Sequence, residues 1–384
     1  MKLCSAAHRD FTEFIPGFSA VRAIAVALTY LMHFSWFYAA TYLGMDLEGR
    51  SLVGALSIEA ALTTASYYSL HGVYLFFMVS GFLIGRMWLD EHAPSFKIYL
   101  RHRALRIFPA LWAALLITYI VSNLRGAALP ATPWDIAQNA LLLNWFDPTH
   151  SPPWLLVSWS LQVEWLFYLL MPVVALTMRA SSERTILIRL WLVTAVLMVL
   201  LKSLGDRYFA YPLFFALGIS AVAMQRRLES IAKRISLLWI VLALMLIQIG
   251  YAMLEPIGAA KPSWQIGPYD LFVLLYAAVG SALFVRVAFA PSQIALSTTV
   301  VWLGKISYSF FLWHLLVLTG LFAWATNPSI SAVLSALAWP VRWVGLSTLG
   351  FALSCAVAWC SYRSFEAPYF ESKRKNMTRA AQTE

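Results

Sequence analysis

The sequence predicts an all-α integral membrane protein, a bundle of about ten transmembrane helices with both termini in the cytoplasm. Three observations predict it: a composition too apolar for a soluble domain, apolar runs of membrane-spanning length along the whole chain, and basic residues that alternate from gap to gap. Of 384 residues, 61% are hydrophobic and 12% charged, about half the charged share of ordinary soluble domains. A hydrocarbon core about 30 Å thick takes roughly 20 apolar residues per helix.

The runs fall at 15–38, 71–89, 104–123, 158–178, 185–203, 208–225, 235–254, 268–288, 301–323 and 340–361. The first is preceded by Lys2 and Arg9 and followed by the small residues Ala39 and Ala40, as in a signal peptide, but its length and internal charges predict that it is retained. The second closes on a basic gap (Arg86, Lys97, Arg101, Arg103, Arg106), the third on Arg125, and the fourth on Arg179, Arg184 and Arg189. Lys202 and Arg207 follow the fifth run, Arg226, Arg227, Lys233 and Arg234 the sixth, and Lys261 the seventh. Arg286 ends the eighth, Arg342 precedes the tenth, and Arg363, Lys373, Arg374, Lys375 and Arg379 follow it. With Arg50 in the gap after the first run, alternate gaps thus hold 20 basic residues against 6, and the richer set belongs in the cytoplasm by the positive-inside rule. The apolar stretch 134–146, followed by Pro148, Pro152 and Pro153, is too short to span and is expected to be interfacial or re-entrant. The boundaries expected are a transmembrane domain over 1–371 and a short basic cytoplasmic tail over 372–384. No internal repeat is visible.

A net charge of +10 does not point to nucleic acid, because the basic residues sit in the gaps between spans rather than on one soluble face. Cys4, Cys355 and Cys360 have no metal-like spacing and read as small apolar fillers, so no metal is expected.

Ionisable groups at membrane depth are costly and mark function unless they snorkel. Arg22 and His33 are eleven residues apart in the first run, close to three turns, so they share one face about 16 Å apart. Glu164 enters the fourth run from the other side and is expected near the depth of His33, while His314 lies mid-way along the ninth. Singly, Arg22 could snorkel, His33 and His314 could be structural, and Glu164 could be a neutral hydrogen-bonding group. Together they outline a path across the bilayer, which leaves transport and transmembrane chemistry both open. His8, His92, His102 and His150 fall in gaps and are expected to be solvated.

The segment from Ile15 to Val26, with Arg22-x10-His33, resembles the opening of the membrane-bound acyltransferase-3 family, the bacterial O-acetylase type. Further similarities follow in order: Gly72 to Ile84 with Ser80-Gly81; Arg101 to Pro109 with an Arg-x-x-Arg core; Trp159 to Glu164; Leu303 to His314; and Ser361 to Pro368. Tyr74 stands where the family often has an acidic residue, and Trp165 where a second Glu is frequent.

The resemblance implies acetyl-CoA, or another acyl-CoA, as donor on the cytoplasmic side of a bacterial inner membrane. It implies a glycan or glycoconjugate hydroxyl as acceptor on the other side, with membrane lipid as surroundings; the oligomeric state stays open, a homodimer being one option. On that basis His33 is the expected general base and Glu164 the group that orients it or binds acceptor. Arg22, Ser80, Gly81, Arg86, Arg101, Arg103 and Arg106 are assigned to the donor, and Tyr308 and His314 to the substrate. Ser80 and Gly81 are expected to let their helix approach the acyl chain closely. The chain ends about 20 residues after the last run, so the acceptor step is expected to finish within the membrane domain or with a separate partner. Direct transfer and an acyl-enzyme both remain open, and the rival function is a transporter or flippase.

Overall fold

The computed structural model describes residues 16–47, 57–69, 72–90, 93–127, 129, 131–144, 153–178, 182–204, 210–258 and 267–370. The expected tail over 372–384, Cys4, His8, His92 and His150 lie outside the described residues. The helices are α1 (Pro16–Tyr38), α2 (Ile58–Tyr67), α3 (Gly72–Leu89), α4 (Phe96–Leu124), α5 (Pro133–Leu141), α6 (Ser158–Leu176) and α7 (Glu183–Leu204). They continue as α8 (Ala210–Ala223), α9 (Gln225–Ala232), α10 (Leu237–Gly258), α11 (Pro268–Phe289), α12 (Thr298–Ala325), α13 (Pro328–Ala336) and α14 (Trp339–Ser361). Among the described residues nine helices, α1, α3, α4, α6, α7, α10, α11, α12 and α14, are long and apolar enough to cross a membrane.

Each expected run is met by a helix, with two departures that matter. The run expected at 208–225 is α8, only 14 residues and so about 21 Å long. The run expected from 104 begins at Phe96, just after Ser95, which puts Arg101 and Arg103 on the helix together with Arg106. The stretch around 134–146 forms α5, started by Pro133 and a capping box in which Thr132 and Asp135 exchange hydrogen bonds. Trp112 of α4 holds it by donating to Ala140 O at 2.9 Å. The short helices α2, α9 and α13 were not foreshadowed by any apolar run.

α1 is the hub. It packs against α2, α3, α11, α12 and α14, while α3 pairs with α8, α12 with α14 and α10 with α11. Between apolar helices in lipid, association rests on close packing, which small residues allow. Gly304 of α12 lies so near the Ser19 backbone of α1 that a Cβ would collide with it, and Gly81 of α3 does the same against Phe215 of α8. Outer helices turn their large side chains to lipid instead, among them Leu192, Val196 and Val199 of α7 and Leu238, Trp239 and Leu246 of α10.

Contacts at both ends of the hub set helix directions. Gly304 meets Ser19 and His314 meets His33, so α12 runs parallel to α1. Gly72 abuts Ala25 and Thr29 while Phe82 lies 4.7 Å from Phe18 between ring centroids, so α3 runs antiparallel. Beyond Tyr38, α1 passes into a π-helical turn, Ala39–Leu43, closed by Gly44 in the left-handed region at φ 57°. There Arg342 of α14 bonds Glu59 of α2 at 2.7 Å and Tyr38 at 2.9 Å, and Tyr38 donates to Glu59 at 2.6 Å. One ion pair and one hydroxyl therefore tie three helices together at that end.

Candidate active site

The face of α1 that carries His33 meets α12 at His314. His314 Nε2 lies 3.0 Å from His33 Nδ1, with ring centroids 5.0 Å apart. His314 Nδ1 lies 2.9 Å from Phe311 O and 3.1 Å from Phe310 O, and His33 Nδ1 lies 3.0 Å from Thr29 O. Both rings are removed from water, His314 at 0% exposure and His33 at 8%. Phe310 stacks on His314 and Phe311 tilts against it, each 5.9 Å between centroids.

Three turns back along α1, Arg22 opens on a pocket shared by α1, α3, α4, α6 and α12. Arg103, Arg106, Ser80, Glu164, Tyr168 and Ser307 supply its polar lining. Glu164 Oε1 accepts from both Ser80 Oγ and Tyr168 Oη, which leaves Oε2 to take a further donor. Arg103 lies over the rings of Tyr99 and Tyr168, at 5.7 and 5.5 Å. Its Nε and the Ser307 hydroxyl are buried without a hydrogen-bond partner, the kind of orphan that a bound ligand or water satisfies.

Glu366 sits behind this pocket, on the π-helical turn Tyr362–Glu366 that follows α14. It is buried at 2% exposure and accepts from Ser309 Oγ at 2.7 Å. Arg22 has Arg106, Glu366, Glu164 and Tyr168 as its electrostatic neighbours. Three guanidinium groups thus face two carboxylates, an excess of positive charge in a partly enclosed space.

The apolar lining of the same pocket includes Val73, Phe76 and Phe311. Phe311 precedes His314 by three residues and its carbonyl accepts the Nδ1–H, which sets one wall residue a turn from the histidine pair, although His33 and His314 are not themselves among the pocket's lining residues.

An acyltransferase-domain profile matches residues 11–359 of the chain, well over half of its length. The chain belongs to the acyltransferase-3 family. It is 24% identical over 400 residues to peptidoglycan O-acetyltransferase OatA of Listeria monocytogenes, covering 96% of this chain and 57% of that protein. It is 28% identical over 171 residues to acyltransferase MdmB of Streptomyces mycarofaciens, covering 43% of each. The chain therefore spans less than two thirds of the length of these relatives. No solved structure matches it.

This member of the family gathers some of the expected site residues and separates others. Arg22, Ser80, Arg103, Arg106, Glu164 and Tyr308 line one pocket. Glu164, expected near the depth of His33 to orient it or to bind acceptor, is bonded to Ser80 and Tyr168, and the partner of His33 is His314. The reason is register: Ser80 lies towards the Arg22 end of the antiparallel α3, and Glu164 pairs with it there. Gly81 fits against α8 rather than facing the pocket, because the α3–α8 contact needs the space a side chain would take. Arg101 is exposed, Arg86 is half-buried, and neither is among the pocket's lining residues.

Tyr308 contributes its ring to the lining but spends its hydroxyl on Ile107 O at 2.7 Å, bracing α12 against α4. His102, expected to be solvated, has Nδ1 2.9 Å from the Tyr369 hydroxyl. Sequence reasoning missed Tyr168, Ser307 and Glu366. Tyr168 was findable, one turn beyond Glu164 on the same face. Glu366 stands within a motif noticed in the sequence, but only the π-helical turn carries it back inside the bundle.

Proposed function

We propose that this acyltransferase moves an acyl group, acetyl in the simplest case, from cytoplasmic acyl-CoA to a hydroxyl of an extracytoplasmic glycan in a bacterial inner membrane. The observation that carries the reading is the pocket lined by Arg22, Arg103 and Arg106, whose far wall, Phe311, lies one turn from His314 of the His33–His314 pair. Guanidinium groups pair with phosphate oxygens through charge-assisted hydrogen bonds, and Arg103 Nε is buried there without a partner. The apolar walls at Val73, Phe76 and Phe311 suit a slender arm ending in a thioester. The positive-inside count supports a cytoplasmic arginine end of α1, the side on which acyl-CoA is made. The name of the listerial relative, a peptidoglycan O-acetyltransferase, supports a glycan as acceptor and acetyl as the group moved.

In this reading His33 Nε2 takes the proton of the acceptor hydroxyl as its oxygen attacks the thioester carbonyl. The C–S bond then breaks and the departing thiolate takes that proton. General-base assistance of this kind contributes about 10²–10⁴-fold. A dry, aromatic surround keeps water from competing for the thioester.

The test is acyl-CoA turnover by the purified protein in lipid, with a glycan fraction from the source cells, following release of free CoA. Glycan-dependent release by the wild type that His33→Ala abolishes, with the variant still folded, is the expected result. Glycan movement across the bilayer without CoA release would replace the proposal with transport.

A further inference from the structure

Hydrogen positions around the two histidines follow from what their partners can do. The carbonyl oxygens of Phe310 and Phe311 only accept, and both lie within hydrogen-bond distance of His314 Nδ1, so that nitrogen carries the hydrogen. A neutral imidazole then has a bare Nε2. That bare nitrogen lies 3.0 Å from His33 Nδ1, which must donate to it, and Thr29 O at 3.0 Å demands a hydrogen on the same atom. Three carbonyls and one ring nitrogen therefore agree on one arrangement, in which the sole remaining lone pair of the pair of rings is on His33 Nε2.

We infer that His314 is a positioning residue, fixing His33 as the Nδ1–H tautomer so that Nε2 is the basic nitrogen, and sharing the charge that forms there. The assignment rests on His33 being the base, and it replaces the substrate contact expected of His314. Both ring nitrogens of His314 are already committed and its side chain has no exposure, so it is not placed to bind a substrate. When His33 Nε2 takes a proton, Nδ1–H stays hydrogen-bonded to His314. If that hydrogen shifts across, the resulting His314 imidazolium donates to Phe310 O or Phe311 O and to His33. Either way one positive charge is spread over two rings in a place with little water to solvate it. A buried aspartate plays the corresponding role beside the histidine of serine proteases, where its charge would stabilise the imidazolium more strongly. A neutral partner leaves His33 uncharged at rest.

The decisive experiment is solid-state NMR of histidine-¹⁵N-labelled protein in lipid, paired with CoA-release kinetics. In the wild type, a ¹⁵N–¹⁵N coupling through the hydrogen bond between His33 Nδ1 and His314 Nε2 is expected, with both rings protonated at Nδ1. In His314→Leu, similar in size but without an acceptor, His33 is expected to become a mixture of tautomers. Its kcat should fall on the order of 10–10²-fold, as for loss of groups that orient a functional histidine, with the KM for acyl-CoA unchanged. His314→Gln, which restores an acceptor, should recover most of both readouts.

A wild type without the coupling overturns the proposal without any variant. So does a His314→Leu enzyme whose His33 stays wholly Nδ1-protonated, whatever happens to kcat. If the tautomer behaves as expected but no preparation turns over acyl-CoA, the positioning role stands and the acyl-transfer reading is what fails.

Discussion

The two ends of α1 solve opposite problems with the same materials. Around Arg22 five helices leave a pocket, three guanidinium groups outnumber two carboxylates, and a buried guanidinium nitrogen and a buried hydroxyl go unpartnered. Around His33 the rings are closed in by Phe310 and Phe311 and the hydrogen bonds of His314 are complete within the protein. An anion is best held by fixed charge with unsatisfied donors, whereas a general base must stay neutral and away from water until it acts. On the proposed reading, recognition and chemistry are separated along one helix, about 16 Å apart, with Phe311, a wall of the pocket, one turn from His314.

Removing the base should do the most damage. His33→Ala is expected to lower kcat by about 10²–10⁴-fold, with donor affinity by direct binding unchanged because the arginine end is untouched. A matching loss of acyl-CoA binding would break the separation. Arg106→Ala should act from the other end, raising the KM for acyl-CoA by roughly 10–10²-fold, the value of one or two charge-assisted hydrogen bonds, and leaving the His33 tautomer as it was. Glu164→Gln sharpens the picture on a smaller scale. An amide can still meet Ser80 and Tyr168, so the variant should fold, and removing one negative charge beside Arg22 and Arg106 should leave anion binding equal or tighter. Weaker acyl-CoA binding in Glu164→Gln would show that the carboxylate contacts the substrate directly.

The spans were legible because lipid imposes a simple rule, about 20 apolar residues between polar breaks, and α1, α3, α11 and α12 follow it closely. The Arg22–His33 face was legible for a similar reason, since helix periodicity alone fixes it. Pairings between helices were not. Glu164 was given the depth of His33 from its position in its own run, but depth on one helix says nothing about which neighbour comes near. The antiparallel register of α3 brings Ser80 to Glu164 at the Arg22 end. The His33–His314 pair joins residues 281 apart in sequence, and no local signal distinguishes a histidine that orients another from one that fills a core. Glu366 was hidden by a break in periodicity, since a π-helical turn re-aims the side chains that follow it.

The smallest catalytic effect is expected where the protein is tied most firmly. At the His33 end of α1, beyond the histidine pair, Arg342, Glu59 and Tyr38 form a nearly enclosed cluster, the two charged side chains 11% and 15% exposed. Taking away one partner strands the other charge in poor solvent, which is the costly way to break such a pair. Arg342→Met should therefore lower the thermal midpoint in detergent by several degrees. Loss in the double variant Arg342→Met/Glu59→Gln should be smaller than the two single losses added together, because the second change removes the stranded charge. Turnover per folded molecule should stay within about twofold, since additivity holds for sites that share no partner and the bonds described for this cluster include neither histidine. A kcat loss in Arg342→Met comparable to that of His314→Leu, at equal folded fraction, would mean that this end of α1 is part of the acceptor's binding surface, and the bundle would then hold three functional zones rather than two.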